Sequence, residues 1–335
     1  MLKRILIYKF CDIMKVSIVT PNYNGLKFLP LYFSSLLTNY DHIEEIIIVD
    51  NNSSDNSLDY IHNLIDDGYE IPIRIIENMQ NFGFAKAVNQ GIKASKSEYV
   101  FLLNNDIEME NNTISNLIDC IESREDIFSV SSKMIQFDNR DLIDDAGDEY
   151  TILANTKKTG FNQPTNKYTN SRDIFSSCAG AALYKKSVFQ EIGYFEEEFF
   201  AYMEDVELAY RSRIYGYRNY FCPDAIVYHI GSGTTGSQYN EFKVKISARN
   251  NIWLIYKDFP MPQKIVNFIF YFIGFSIKYL FFRRKGFGEI YLDGIREGLY
   301  NRNKIKKTDF KRSNTLNYFK IELRLFKNLF KLIKK

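Results

Sequence analysis

Residues 45–55 read EIIIVDNNSSD. Four consecutive β-branched residues, Ile46 to Val49, make a short, unbroken apolar run. A strand with that texture is buried on both faces, as in a parallel sheet covered by helices. Asp50 ends the run, and the polar residues after it turn the chain into a helix-patterned stretch at 56–66. The same unit recurs on either side. Upstream, VSIVT at 16–20 is closed by Pro21-Asn22, and Leu26, Leu29, Phe33, Leu36 and Leu37 follow at helical spacing. Downstream, IRIIE at 73–77 leads into Asn81-Phe82-Gly83-Phe84 and a helix through Ser95. YVFLL at 99–103 ends in Asn104-Asn105-Asp106, with a helix at 112–122. Four strand–turn–helix units in succession predict an α/β fold with a mostly parallel central sheet flanked by helices.

Ligands of such sheets bind beyond the carboxyl ends of the strands. Thr20, Pro21, Asn22 and Tyr23, then Asp50, then Asn105 and Asp106 all fall there. Turns favour Asn, Asp and Ser in any case, and Asp50 could equally close an Asx turn. Oxygen-rich Asn104–Asp106 suits a hard divalent cation, Mg²⁺ or Mn²⁺. One carboxylate is too few for a tight site, so the ion is expected to arrive with a diphosphate. His229 is a further candidate ligand, or a structural histidine, and it precedes the glycine-bearing loop at 231–236. Asn81, Lys86 and Asn89 surround a helix N-terminus whose amide groups suit a diphosphate. Glu204-Asp205 opens a helix over 203–215, either as an exposed capped end or as an acidic pair held by the helix dipole. Neither a Gly-x-Gly-x-x-Gly nor a Walker motif occurs.

Hydrophobic residues make up 45% and charged residues 25% of the 335, enough apolar content for a substantial core. Four cysteines without metal-ligand spacing fit reduced thiols. The opening MLKRILIYKF lacks the long apolar run of a signal peptide, and Met14 directly precedes the first strand. Residues 1–13 are therefore expected to be an extension, 14–260 the main domain and 261–335 a basic, apolar helical region. Beyond Phe128–Phe137, residues 138–173 are polar and read as a long excursion with a short strand near 150–154. Apolar texture returns at 174–184, followed by a strand at 219–228 and a helix at 242–258.

Read together, VSIVTPNYNG (16–25), IIIVDNNSSD (46–55), NFGFAKAVNQGI (81–92), VFLLNNDIEM (100–109), DDAGDE (144–149), the stretch 179–218 with YMEDVELAYR, and VYHIGSGTTG (227–236) resemble family 2 glycosyltransferases of the GT-A fold, rhamnosyltransferase-like branch. The resemblance runs in family order over about 16–260. It implies an inverting transfer from a nucleotide-diphospho-sugar, such as dTDP-rhamnose or a UDP-sugar, to a saccharide acceptor in bacterial surface polysaccharide assembly. Asp50 matches the residue that contacts the donor's base. Asp106 matches the metal-binding acid of the Asp-x-Asp motif, with Asn104 where many members have Asp. Asp205 matches the catalytic base of the Glu-Asp pair, Glu204 its neighbour, and His229 a histidine that completes the metal site. A nucleotidyltransferase would instead show a glycine- and arginine-rich loop after its first strand, which TPNYNG is not. A non-catalytic glycan-binding scaffold is the other alternative.

The apolar stretch 265–282, interrupted by Asn267, Ser276 and Lys278, is at the lower limit for a membrane span. Lying at a bilayer surface or packing against protein are the other options, and Arg283-Arg284-Lys285 follow it. From Asn303 onward, eleven Lys/Arg face two acids. Leu316, Phe319, Leu323, Phe326, Phe330 and Ile333 recur at helical steps among those lysines, a basic amphipathic helix. The expected partner is an anionic membrane surface at the cytoplasmic face of the inner membrane, with a lipid-linked or oligosaccharide acceptor; nucleic acid is not expected.

Overall fold

The computed structural model describes residues 13–231 and 239–333. The loop 232–236 and most of the amino-terminal extension lie outside the described residues. Strand β1 (Val16–Asn22), helix α1 (Leu29–Leu36), β2 (Ile43–Asp50), α2 (Ser57–Asp66), β3 (Ile73–Glu77), α3 (Phe84–Ala94) and β4 (Tyr99–Leu103) are the four expected units. Successive β2 residues point to opposite faces. Ile46 and Ile48 enter the core beneath α1 and α2, and Ile47 and Val49 the one beneath α3. Both faces are dry, which is why the sequence run is unbroken.

The chain continues through β5 (Ile107–Met109), α4 (Thr113–Glu122), β6 (Ile127–Gln136), β7 (Ile143–Asp145), β8 (Asp148–Tyr150), β9 (Thr156–Lys158), β10 (Arg172–Ile174), β11 (Ala181–Lys185), α5 (Lys186–Ile192), α6 (Glu204–Ile214) and β12 (Arg218–His229). The principal sheet has ten strands along the path β10-β12-β6-β11-β4-β1-β2-β3, with β5 against β12 and β7 against β6. It is mixed rather than mostly parallel. β3, β2, β1 and β4 are mutually parallel. β11 inserts antiparallel between β4 and β6, and β12 returns parallel to β6. Crossover helices impose parallel pairing in the first half; β11 follows an excursion with no crossover helix, so it is free to enter antiparallel.

That excursion is folded, not loose. β8 and β9 form a hairpin, and Ile143, Ala146, Tyr150 and Ile152 are buried. The strand expected near 150–154 lies earlier, and 151–155 is a turn. Its Ile152 amide donates to the Leu325 carbonyl of the last helix.

Five helices complete the chain: α7 (Glu241–Asp258), α8 (Met261–Val266), α9 (Phe268–Arg284), α10 (Gly288–Tyr300) and α11 (Thr315–Ile333). Among the described residues, no helix is long and apolar enough to cross a membrane. The 265–282 stretch is interrupted at Asn267, which is fully buried and ends α8 as α9 begins. Tyr318, Ile321 and Leu325 of α11 pack with Tyr210 and Ile214 of α6.

Candidate active site

The parallel strands end on one edge, and the candidate residues gather there. Asn22 lies opposite Asp50 in the β1–β2 ladder. Its amide nitrogen donates to Asp50 Oδ1 at 2.7 Å, and its Oδ1 accepts from Asn105 Nδ2 at 2.7 Å. One buried asparagine therefore links the ends of three strands. Asp50 also accepts from the Ser53 amide at 2.9 Å and the Ser53 hydroxyl at 2.6 Å, closing the turn after β2. Gly25 makes the turn after β1 tight: a Cβ there would meet Asn105 and Asn22 side-chain atoms 2.1 and 2.4 Å away. Thr20 is fully buried and bonded to the Tyr32 hydroxyl, beneath the site rather than in it. Pro21 is partly exposed and Tyr23 is exposed at the rim.

Asp106 and His229 meet because β5 pairs antiparallel with the end of β12, setting His229 opposite Ile107. His229 Nε2 is 3.6 Å from Asp106 Oδ2, and Nδ1 is 2.8 Å from Asp144 Oδ2. Burial favours the neutral imidazole, but bonds to Asp106 and Asp144 and their charges outweigh it and push its pKa up to about 9. Burial likewise works against the Asp144 carboxylate; His229 and Lys158 overcome this and hold its pKa at about 2. A carboxylate behind a histidine fixes which ring nitrogen can face a ligand.

Asp106 Oδ1 is buried and has no hydrogen-bond partner. A solvent-shielded carboxylate oxygen left over beside an imidazole nitrogen fits a divalent cation. Among the described residues, no group of three or more His, Cys, Asp or Glu converges as a metal site. Two protein ligands leave room for the oxygens of a diphosphate.

The acidic helix end lies against the segment that enters β11, through the Ala179 amide. The Glu204 side chain is 6% exposed with Oε2 unpartnered, and burial followed by the neighbouring Asp205 charge pushes its pKa well up. Asp205 is partly exposed. Burial raises its pKa, opposed by backbone amides of Val206 and Ala179 that hold the carboxylate. The Val206 amide donates at 2.7 Å. Asp145 and Asp148 feel the Asp205 charge, so the β7–β8 loop faces α6. The pKa of Asp145 is pushed up to about 6, mainly by burial.

The segment leading into Glu204 is strained. Phe200, Tyr202 and Met203 have φ of 66°, 66° and 71°, uncommon for residues with a Cβ. Asn250 of α7, fully buried, holds it: its Nδ2 donates to the carbonyls of Phe199, Ala201 and Tyr202 at 2.9, 2.9 and 2.7 Å. From the other side, the Ala85 amide donates to the Phe200 carbonyl at 3.1 Å. Gly83 permits this approach, since a Cβ there would lie 2.5 Å from that oxygen.

The α3 N-terminus therefore differs from the sequence expectation. Its Ala85 amide anchors the strained loop, and Asn81 Oδ1 accepts from Gly83. Asn89 is a correction: it is 1% exposed, donates to the Phe195 carbonyl at 2.9 Å and accepts from its amide at 3.0 Å. It ties α3 to the 195–197 segment and offers nothing to a ligand. The Lys86 ammonium sits 3.6 Å from the Phe82 ring centre. Lys86 lines a cleft of about 460 Å³ with Phe82, Glu198, Phe200, Phe242 and Arg249.

Residues 17–193, just over half of the chain, match the sequence model described as Glycosyl transferase family 2. The low-salt glycan biosynthesis hexosyltransferase Agl10 of Haloferax volcanii is 25% identical over 203 residues, 59% of this chain and 61% of that protein. The poly-beta-1,6-N-acetyl-D-glucosamine synthase of Staphylococcus aureus is 23% identical over 234 residues, 70% of this chain and 53% of that one. The chain thus spans a little over half of each relative's length. Among solved structures, GalNAc-T7 with UDP, GalNAc and Mn²⁺ superposes with a TM-score of 0.60 at 18% identity, over 73% of this chain and 48% of that one. The shared architecture is the α/β, GT-A-like fold with a mixed sheet.

Proposed function

The chain belongs to glycosyl transferase family 2, and from that premise we propose that it is an inverting glycosyltransferase. In this reading it moves a hexose from a nucleotide-diphospho-sugar, dTDP-rhamnose or a UDP-sugar, to a saccharide or lipid-linked acceptor. Bacterial surface polysaccharide, O-antigen or capsule, is the proposed product. A hexosyltransferase and a polysaccharide synthase among the relatives support the class of reaction. The Mn²⁺ and UDP bound by GalNAc-T7 support a nucleotide donor with a divalent cation.

The observation that carries the reading is the presence of two different carboxylates near one edge of the sheet. Asp106 lies just beyond β4, and Asp205 is held by the Ala179 amide just before β11, the neighbour of β4. Asp106 keeps a buried, unpartnered oxygen beside His229. Asp205 is fixed by backbone amides and remains reachable. Asp106 and His229 would hold the cation, which when bound supplies positive charge to the departing diphosphate. Asp50, with Asn22 and Asn105 bracing it, is assigned to the nucleotide end of the donor.

Asp205 is the proposed base, and the acceptor is proposed to enter through the aromatic-lined cleft beside Phe200. The acceptor hydroxyl gives its proton to Asp205 as its oxygen bonds to the anomeric carbon. The bond from that carbon to the diphosphate breaks on the opposite side, so configuration inverts and a nucleoside diphosphate leaves. Burial keeps Asp205 more basic than an ordinary aspartate, which favours proton uptake near neutral pH. Glu204 is the more buried of the pair and is assigned to shaping the helix end. A donor-hydrolysis panel tests the reading. Release of a nucleoside diphosphate from at least one nucleotide sugar, lost in Asp106→Ala, supports it; no turnover of any donor with or without added saccharide sinks it.

A further inference from the structure

Eighteen of the twenty-seven exposed large apolar side chains among the described residues lie beyond residue 260. They are not scattered. On α9 the inner face docks on the 151–155 turn: a Cβ at Gly274 would lie 1.9 Å from the Leu153 carbonyl oxygen, and the Lys278 ammonium donates to the Ala154 carbonyl at 3.2 Å. The opposite face leaves Ile269, Phe272 and Leu280 more than half exposed.

Helix α11 has the same two-sided character. Tyr318, Ile321 and Leu325 are buried against α6, while Leu316, Phe319, Leu323, Phe326 and Phe330 point outward. The regular three- and four-residue steps seen in the sequence thus mark the outer face, and a second apolar set secures the helix to the protein. Helical geometry puts Lys320 and Lys327 along one border of that outer face, both exposed, with Lys331 beyond them paired to Glu149 at 2.6 Å.

The two faces adjoin. Glu322 stands on the other border of the α11 stripe, and its Oε2 accepts from Gln263 at 2.5 Å and Asn267 at 2.9 Å. That clamp sets the α8–α9 junction, with exposed Met261, Ile265, Val266 and Phe268, beside the α11 stripe. The result is one apolar surface over three helices, rimmed by lysines on one side and by exposed Arg283, Arg284 and Lys285 at the end of α9.

We infer that this surface docks the protein on an anionic bilayer, with α8, α9 and α11 lying in the interface and no helix crossing it. The occupant follows from chemistry. A bilayer with acidic headgroups meets the apolar face and the Lys320, Lys327 and Arg283–Lys285 rim at the depths where each lies. Aromatic-rich outer faces on helices that are not both long and apolar enough to span suit that depth. The inference stands apart from the donor chemistry, because neither α9 nor α11 contributes a residue to the candidate site.

Flotation of the full-length protein with phosphatidylcholine vesicles, with and without phosphatidylglycerol, tests it. Wild type is expected to float with anionic vesicles and to release at high salt. Lys320→Gln with Lys327→Gln should weaken partitioning about thirty-fold at low salt. Leu323→Glu with Phe326→Glu should abolish it while leaving thermal unfolding unchanged, since both side chains are already exposed. Ile269→Glu with Phe272→Glu gives an independent reading from α9. Failure of wild type to float, or binding indifferent to anionic lipid and salt, overturns the inference. So does a soluble oligomer that the α11 variant splits, which would make the face a protein interface.

Discussion

Asn250→Ala removes the clamp on the strained segment ahead of Glu204. The carboxamide has two N–H groups shared among three carbonyls, so two hydrogen bonds' worth of free energy is at stake, about 1–3 kcal/mol at 0.5–1.5 each. Over 335 residues that corresponds to a fall of roughly 1–2 °C in unfolding temperature per kcal/mol. The effect on turnover should be larger. Three non-glycine residues at positive φ store about 1–3 kcal/mol each, more than the two remaining anchors, Arg249 Nη2 donating to the Phe199 carbonyl at 3.0 Å and the Ala85 amide on Phe200, are expected to hold alone. The segment should relax, carrying Glu204 and Asp205 with it, and a displacement of about 1 Å at a reacting group costs on the order of 10²-fold. Turnover of the donor identified by the hydrolysis panel gives kcat, calorimetry gives nucleotide affinity, and a thermal melt gives stability. We expect kcat to fall about a hundredfold with nucleotide affinity unchanged, because Asp50 and Asp106 stand on other elements. Asn250→Asp, with a carboxylate facing three carbonyls, should be no better. If Asn250→Ala keeps wild-type kcat, or loses only in proportion to the unfolded fraction, the clamp argument is wrong.

Asp205→Asn should cost about 10²–10⁴-fold in transfer and leave donor binding intact; a dead Glu204→Gln beside an active Asp205→Asn would reverse the assignment of the pair. Asp106→Ala, or EDTA, should weaken nucleotide affinity measured by calorimetry, and unchanged affinity would remove the metal from the account. Acid stability should depend on Glu207. Burial disfavours its charge, but Arg211 and Lys257 outweigh this and hold its pKa at about 2 against a usual 4.5. Its stabilisation is thus complete above about pH 4.5, on the order of 3 kcal/mol, and is lost as the pH falls toward 2. Acid titration of unfolding should show a shallower loss in Glu207→Gln over that window, and an identical profile would count against the network.

The first four strands were legible because each is a continuous apolar run, and β2 buries alternate residues in two different cores. β5 and β7 were not: three residues are too few for a period. Their invisibility hid part of the site. Asp144 could be quoted from the sequence, but its role depends on a histidine 85 positions later. Asn250 was hidden for the same reason, being about 50 residues from the carbonyls it holds. Asn89 misled in the opposite direction. Its place after a helix start is where a ligand contact is expected, and only the Phe195 backbone reveals that both ends of its amide are taken. In α11 the periodicity was correct, but hydropathy alone cannot say which of two apolar sets turns inward.

Asp106 and Asp205 are proposed to serve the two ends of one glycosyl transfer. The direct measurement is product analysis after incubating the full-length protein with a panel of nucleotide-diphospho-sugars, Mn²⁺ and a saccharide acceptor mixture. A nucleoside diphosphate and a glycoside of inverted configuration are expected from one or a few donors, with both products lost in Asp106→Ala and the glycoside lost in Asp205→Asn. No nucleoside diphosphate from any donor, or a glycoside of retained configuration, would contradict that assignment.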